Sequence, residues 1–173
     1  MSEKLADIQY NFINLPSRIE FENGHVISYL YDADGIKLRT THIIGSDTTV
    51  TDYCGNVIYE NGIPVKLLTE AGYVTLADSK YHYFVQDHLG NNRVVVDQSG
   101  NVEEVNHYYP FGGLLSSSVS NAVQPYKYNG KELDRKNGLD WYDYGARMYD
   151  AALGRWHAVD PMSEKYYSIS SYV

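Results

Sequence analysis

The chain has 173 residues and a formal charge of -8, with 18 tyrosines against 4 phenylalanines and 2 tryptophans. Its 14 basic residues are scattered, with no run to follow a phosphate backbone; this excludes nucleic-acid binding and argues against anionic membranes. Cys54 is the single cysteine, so an internal disulfide and a cysteine-based metal site are excluded, and a small buried or half-buried side chain is expected there. No stretch approaches the ~20 apolar residues of a membrane span. Residues 1–7 lack a signal-peptide pattern, so the chain is not expected to direct its own export.

In chain order, residues 1–20 read as an irregular lead-in containing Pro16. Residues 21–112 read as consecutive β-hairpins. Four Asp-x-x-Gly tetrads punctuate them, at Asp32–Gly35, Asp52–Gly55, Asp87–Gly90 and Asp97–Gly100. Asp suits the first position of a type I turn, where its carboxylate bonds a backbone amide, and Gly suits the fourth, where positive φ starts the return strand. Glu60-Asn61-Gly62 predicts a further turn. The flanks alternate as strands do. Ile27, Tyr29 and Tyr31 alternate with Val26, Ser28 and Leu30, and Ile36, Leu38 and Thr40 form an apolar face against Lys37, Arg39 and Thr41. Tyr81–Val85 and Arg93–Val96 read as strands, and another runs from Val102 to Tyr109 until Pro110 stops it. The tyrosine-rich composition, together with the β-branched residues, supports an all-β fold.

Residues 113–124, rich in Gly and Ser, read as a flexible loop. Residues 125–173 form a second kind of segment, with a short strand at residues 141–146 and room for a helix at residues 161–167. Long amphipathic helices are absent from the pattern.

The ordered elements resemble those of Rhs/YD-repeat proteins. Tyr31-Asp32 matches the YD dipeptide, Asp87-His88-Leu89-Gly90-Asn91-Asn92-Arg93 the DHLGS-R element, and His107-Tyr108-Tyr109-Pro110-Phe111-Gly112 the YYPFG element. Tyr126-Lys127-Tyr128-Asn129-Gly130-Lys131-Glu132-Leu133-Asp134 is similar to Y-F-G-E-D. Tyr144-Gly145-Ala146-Arg147-Met148-Tyr149-Asp150, Leu153-Gly154-Arg155-Trp156 and Asp160-Pro161 resemble the Rhs repeat-associated core domain. The resemblance implies antiparallel hairpins forming part of a curved or spiral, open-edged β-shell with little helix. It also implies relatives that are secreted or at the cell surface, shells that enclose a C-terminal toxin cargo, and a core that self-cleaves through aspartates. The family core continues beyond the Asp-Pro step matched by Asp160-Pro161, so this chain is expected to be C-terminally truncated and unable to enclose a cargo alone.

The expected function is therefore that of a non-catalytic structural module. Its expected partners are the rest of a larger Rhs-type protein or further copies joined through sheet edges. Asp134, Arg147, Asp150, Arg155 and Asp160 are the polar residues that a remnant of the cleavage site would use. The preferred reading has the arginines bridging carboxylates and stacking on rings, with no catalytic residue. The histidines at 25, 42, 82, 88, 107 and 157 have no metal-ligand spacing; His82 and His107 are expected to pack in strands, and neither metal nor cofactor is expected. Two alternatives differ in class. One is a surface module binding carbohydrate or protein through tyrosines such as Tyr29 and Tyr83; the other is an incomplete self-cleaving aspartyl peptidase.

Overall fold

The computed structural model describes residues 4–116, 118, 124–165 and 170–172. Eleven strands make one antiparallel sheet: β1 (Leu5–Tyr10), β2 (Pro16–Phe21), β3 (Val26–Tyr31), β4 (Lys37–Ile44), β5 (Asp47–Cys54), β6 (Val57–Glu60), β7 (Ile63–Thr69), β8 (Gly72–Thr75), β9 (Lys80–Gln86), β10 (Asn92–Asp97) and β11 (Val102–Val105). Each strand pairs with its sequence neighbours, so the sheet is an uninterrupted meander ending at β1 and β11. Four short strands form a second meander: β12 (Glu132–Asp134), β13 (Trp141–Asp143), β14 (Met148–Asp150) and β15 (Arg155–Trp156). Helical structure among the described residues is limited to 3-10 turns at Tyr128–Gly130, Lys136–Gly138 and Ser163–Lys165. The expected open, all-β hairpin architecture is what the chain adopts.

Three Asp-x-x-Gly tetrads share one turn geometry. In the third, Oδ1 of Asp87 accepts the amides of Leu89 and Asn91, Oδ2 accepts Nδ2 of Asn91, and the Gly90 amide donates to the Asp87 carbonyl. Asp97 repeats this with Ser99 and Asn101, and Asp32 repeats its backbone part with Asp34 and Ile36. The second tetrad differs. Asp52 lies within β5, and Cys54 pairs directly with Val57, leaving a two-residue loop whose first position, Gly55, has φ of 63°. Glycine first in a two-residue loop is the type II′ solution, which matches strand twist better than a type I turn. Asn61-Gly62 forms the expected turn, with φ of 51° and 81°.

The lead-in is not irregular: β1 and β2 form the first hairpin. Its turn uses the same cage in disguise, with Oδ1 of Asn11 accepting the amides of Ile13 and Leu15, and Asn14 at φ 60° in the glycine position. Cys54 is exposed rather than buried, because the short turn places it at the end of β5. The strand expected to reach Tyr109 stops at Val105; the chain resumes pairing only at a Tyr108–Leu114 bridge. His82 packs in β9 as expected, stacked on Tyr73 at 4.4 Å, whereas His107 lies outside the strands and is exposed. Residues 117 and 119–123 of the expected loop, and 166–167 of the possible helix, lie outside the described residues.

A further difference concerns β4. Leu30 pairs with Arg39 but Tyr31 pairs with Lys37, so Leu38 is an extra, bulged residue. A bulge reverses the alternation beyond it. Lys37 therefore joins Tyr29, Tyr31 and Thr40 on the inner face, while Ile36 and Leu38 are exposed.

The hydrophobic core joins the two sheets. Ile19 and Phe21 of β2 and Ile27 and Tyr29 of β3 pack with Trp141 and Met148 of the small sheet and with Leu139 in the β12–β13 connection. Each such side chain contributes about 1.5–3 kcal/mol on burial. This cluster fixes the small sheet over the N-terminal hairpins, on the inner face of the large one.

Candidate functional site: the polar seam between the sheets

Away from that apolar cluster, the two sheets meet through charged and phenolic groups. Asp134, at the end of β12, receives the Tyr29 hydroxyl at 2.9 Å and contacts His42 Nε2 at 3.0 Å. Burial pushes the Asp134 carboxyl up, but the bonds from His42 and Tyr29 and the charge of Lys37 outweigh it and hold it below the ordinary value. Lys37 reaches across from β4 to Glu132 and Asp143, with its Nζ 2.7 Å from a carboxylate oxygen of each. Burial opposes its charge, yet Glu132, Tyr53 and Asp143 keep the ammonium protonated well above the usual lysine range. Tyr53 donates to the other oxygen of Glu132 at 2.7 Å.

A second polar group lies below β10 and β11. Glu104 is fully buried and pairs with Lys127 at 2.5 Å, while Gln124 donates to the same oxygen at 3.0 Å. Burial pulls the Lys127 amine down despite Glu104. Buried ion pairs contribute little net stability compared with apolar contacts, but removing one partner is costly. Their value here is registry: each fixes one strand of the small sheet, or the segment before it, opposite one strand of the large sheet. A cavity of about 420 Å³ lies between the sheets, lined by His42, Tyr53, Lys66, Tyr126, Lys127 and Asp134 among others.

The aspartates and arginines singled out from the sequence fall into different local contacts. Asp134 belongs to this seam. Arg147 pairs with Asp160 at 3.0 Å and lies 4.3 Å over the Trp156 ring. Asp160 also caps the following turn through the Met162 amide, and Asp150 caps the turn at Ala152 and Leu153. Arg155 sits opposite Asp150 in the β14–β15 ladder. Arg147 thus bridges Asp160 and stacks on Trp156, while Asp150 and Asp160 each hold a turn.

The tyrosines carry a function that spacing did not reveal. Tyr128, Tyr149 and Tyr142 donate to the successive carbonyls of Pro110, Phe111 and Gly112, at 3.2, 3.1 and 2.9 Å. Three phenols thereby pin one loop to the small sheet and to the 3-10 turn before it. Gly112, at φ 89°, leaves the room that the Tyr128 ring occupies, since a Cβ there would lie 2.6 Å from it. Tyr83 lies on the outer face, exposed and stacked with Tyr81.

A family model for the teneurin YD-shell matches residues 67–170. The chain belongs to the teneurin YD-shell family. Among curated relatives of this YD-shell chain, salivary gland surface protein 1 of Aedes aegypti is 29% identical over 95% of the chain. Toxin subunit YenC1 of Yersinia entomophaga is 30% identical over 64% of it. The chain spans only 6% and 13% of the lengths of those two proteins. Among solved structures, the Photorhabdus luminescens Tc holotoxin pore superposes with a TM-score of 0.76 at 20% identity, over 96% of this chain and 9% of that one. A crystal structure of TcdB2-TccC3-TEV gives 0.74 at 18% identity, over 90% and 9% respectively. At such identities the likeness shows the fold. The YD-shell chain is a structural shell module, and its seam joins the large sheet to the small one.

Proposed function

We propose that the chain is non-catalytic wall material of a larger YD-repeat β-shell in a toxin-like or cell-surface assembly. In this reading, residues 5–112, which include the β1–β2 hairpin, supply wall, and residues 125–173 supply part of the core that braces it. The observation that carries it is the uninterrupted meander, which leaves β1 and β11 at the ends of the sheet order, where the backbone groups of further strands can pair. The rest of a larger protein supplies those strands, and a second copy substitutes for them when the chain is alone. Arg147 and the Met162 amide already engage Asp160, so a structural role accounts for the best-placed aspartate.

Sedimentation velocity over a concentration series tests this. Concentration-dependent association is expected, and it should weaken in a Leu5→Lys/Val102→Lys variant that charges both edges. A monomer at every concentration overturns the edge reading. Time-dependent fragments on a denaturing gel, abolished by Asp160→Asn, overturn the non-catalytic one.

A further inference from the structure

Lys37, Glu132 and Asp143 form a group whose chemistry exceeds that of an ion pair. Lys37 is on the large sheet, while Glu132 and Asp143 face each other across β12 and β13. Their side chains are 10%, 18% and 15% exposed, and Nζ lies 2.7 Å from both carboxylates. The Tyr53 ring sits 4.7 Å from Nζ, and its hydroxyl holds Glu132 Oε1. Oδ1 of Asp143, the oxygen turned away from the lysine, accepts the Gly145 amide at 2.7 Å. An amine, an acid, a neighbouring carboxylate and an amide donor are thus fixed together in a water-poor site.

We propose that Lys37 and Asp143 condense to an intramolecular isopeptide bond, with Glu132 as the proton carrier. One ammonium proton passes to a carboxylate, which makes the amine nucleophilic and Asp143 neutral. The ion pair and the neutral pair hold the same protons, so the reactive form is reached by transfer inside the cluster rather than by loss to solvent. Nζ then attacks Cγ of Asp143, and the Gly145 amide stabilises the charge that develops on Oδ1. Glu132 takes a second proton from nitrogen and returns it to Oδ2, which leaves as water when the C–O bond breaks. Of the three ammonium hydrogens, one stays on the amide and two depart in the water. Charge balances, and no oxidant or cofactor is needed. Fixed proximity replaces the activation that free amines and acids require in water, and a dry site disfavours the reverse hydrolysis.

The test is mass spectrometry of the whole chain, incubated folded and then digested with trypsin in urea. The expected product is a branched peptide joining residues 19–39 to 137–147, one water lighter than its parts and uncut at Lys37. Lys37→Arg and Asp143→Ala chains should lack it, and Glu132→Gln should form it about a hundredfold more slowly. Only linear peptides ending at Lys37 from the folded wild-type chain, after prolonged incubation, overturn the proposal. An unchanged rate in Glu132→Gln overturns the role given to Glu132. The wild-type result stands even where a variant fails to fold.

Discussion

At the residue scale, Asp134 and His157 connect stability to pH in separate windows. The folded-state carboxyl of Asp134 is held low, so its stabilising effect is present above the unfolded value of about 3.9 and lost as pH falls through the folded one. Asp134→Ala leaves His42 and Tyr29 buried without their acceptor and should cost about 3–5 kcal/mol in urea unfolding near neutral pH. That cost should shrink as the pH is lowered through the acid range. His157 stacks on Trp141 at 3.5 Å. Burial drives its imidazole pKa down, with Asp150 opposing. A lowered histidine value contributes fully above the unfolded pKa of about 6.5 and is lost as pH falls from there through the folded value. Unfolding midpoints of wild-type chain should therefore fall below that pH, and a His157→Phe variant, followed by the same titration, should not show that component.

At the element scale, the turns separate what residue type determines from what context determines. Asp87→Ala removes three acceptor contacts from one turn and should cost about 1–2 kcal/mol. Asp52→Ala, in the same tetrad spacing, should change the urea midpoint little, since the contact of the Asp52 carboxylate is with the exposed Arg39. Gly72 has a sharper requirement, because a Cβ there would collide with the His82 carbonyl. Gly72→Ala should open the β8–β9 pairing, seen as faster amide exchange in both strands. These contrasts explain what was legible in the sequence. The Asp87 and Asp97 turns were legible because the side chain that makes the turn sits inside it. The Asn11 turn was not, because Asn11 and Asn14 replace the Asp and Gly that mark the motif. Asp52 misled because a two-residue Gly55-Asn56 loop competes for the same strands. The alternation alone puts Lys37 on the opposite face, because no residue type announces the Leu38 bulge, and a bulge inverts every alternation beyond it.

At the scale of the whole molecule, the strand order is local while the docking of the small sheet is long-range. The family resemblance anticipated the open β-shell, but not the seam, whose partners lie about a hundred residues apart, as Lys37 and Glu132 do. Spacing within one segment carries no signal for such pairs. Trp141 is the anchor of the apolar contact, 2% exposed among Ile19, Phe21, Ile27 and Tyr29. Trp141→Ala should cost about 3–5 kcal/mol. In hydrogen exchange the loss of protection should be larger in β2 and β3 than in β7 to β9, because only the former touch the ring cluster.

The meander also constrains how such a wall can change length. Every strand reverses the direction of the one before it, so deleting a single strand would present its neighbours in parallel and would need a long crossover to repair. Deleting two adjacent strands with their turn restores alternation, and the faces match again if the register is kept. Wall length therefore changes in steps of a hairpin, roughly 10 Å of girth at a time, and an odd change can be absorbed only at a terminus of the sheet. Gains and losses in a wall of this kind obey a parity rule, set by the direction of the backbone rather than by any side chain.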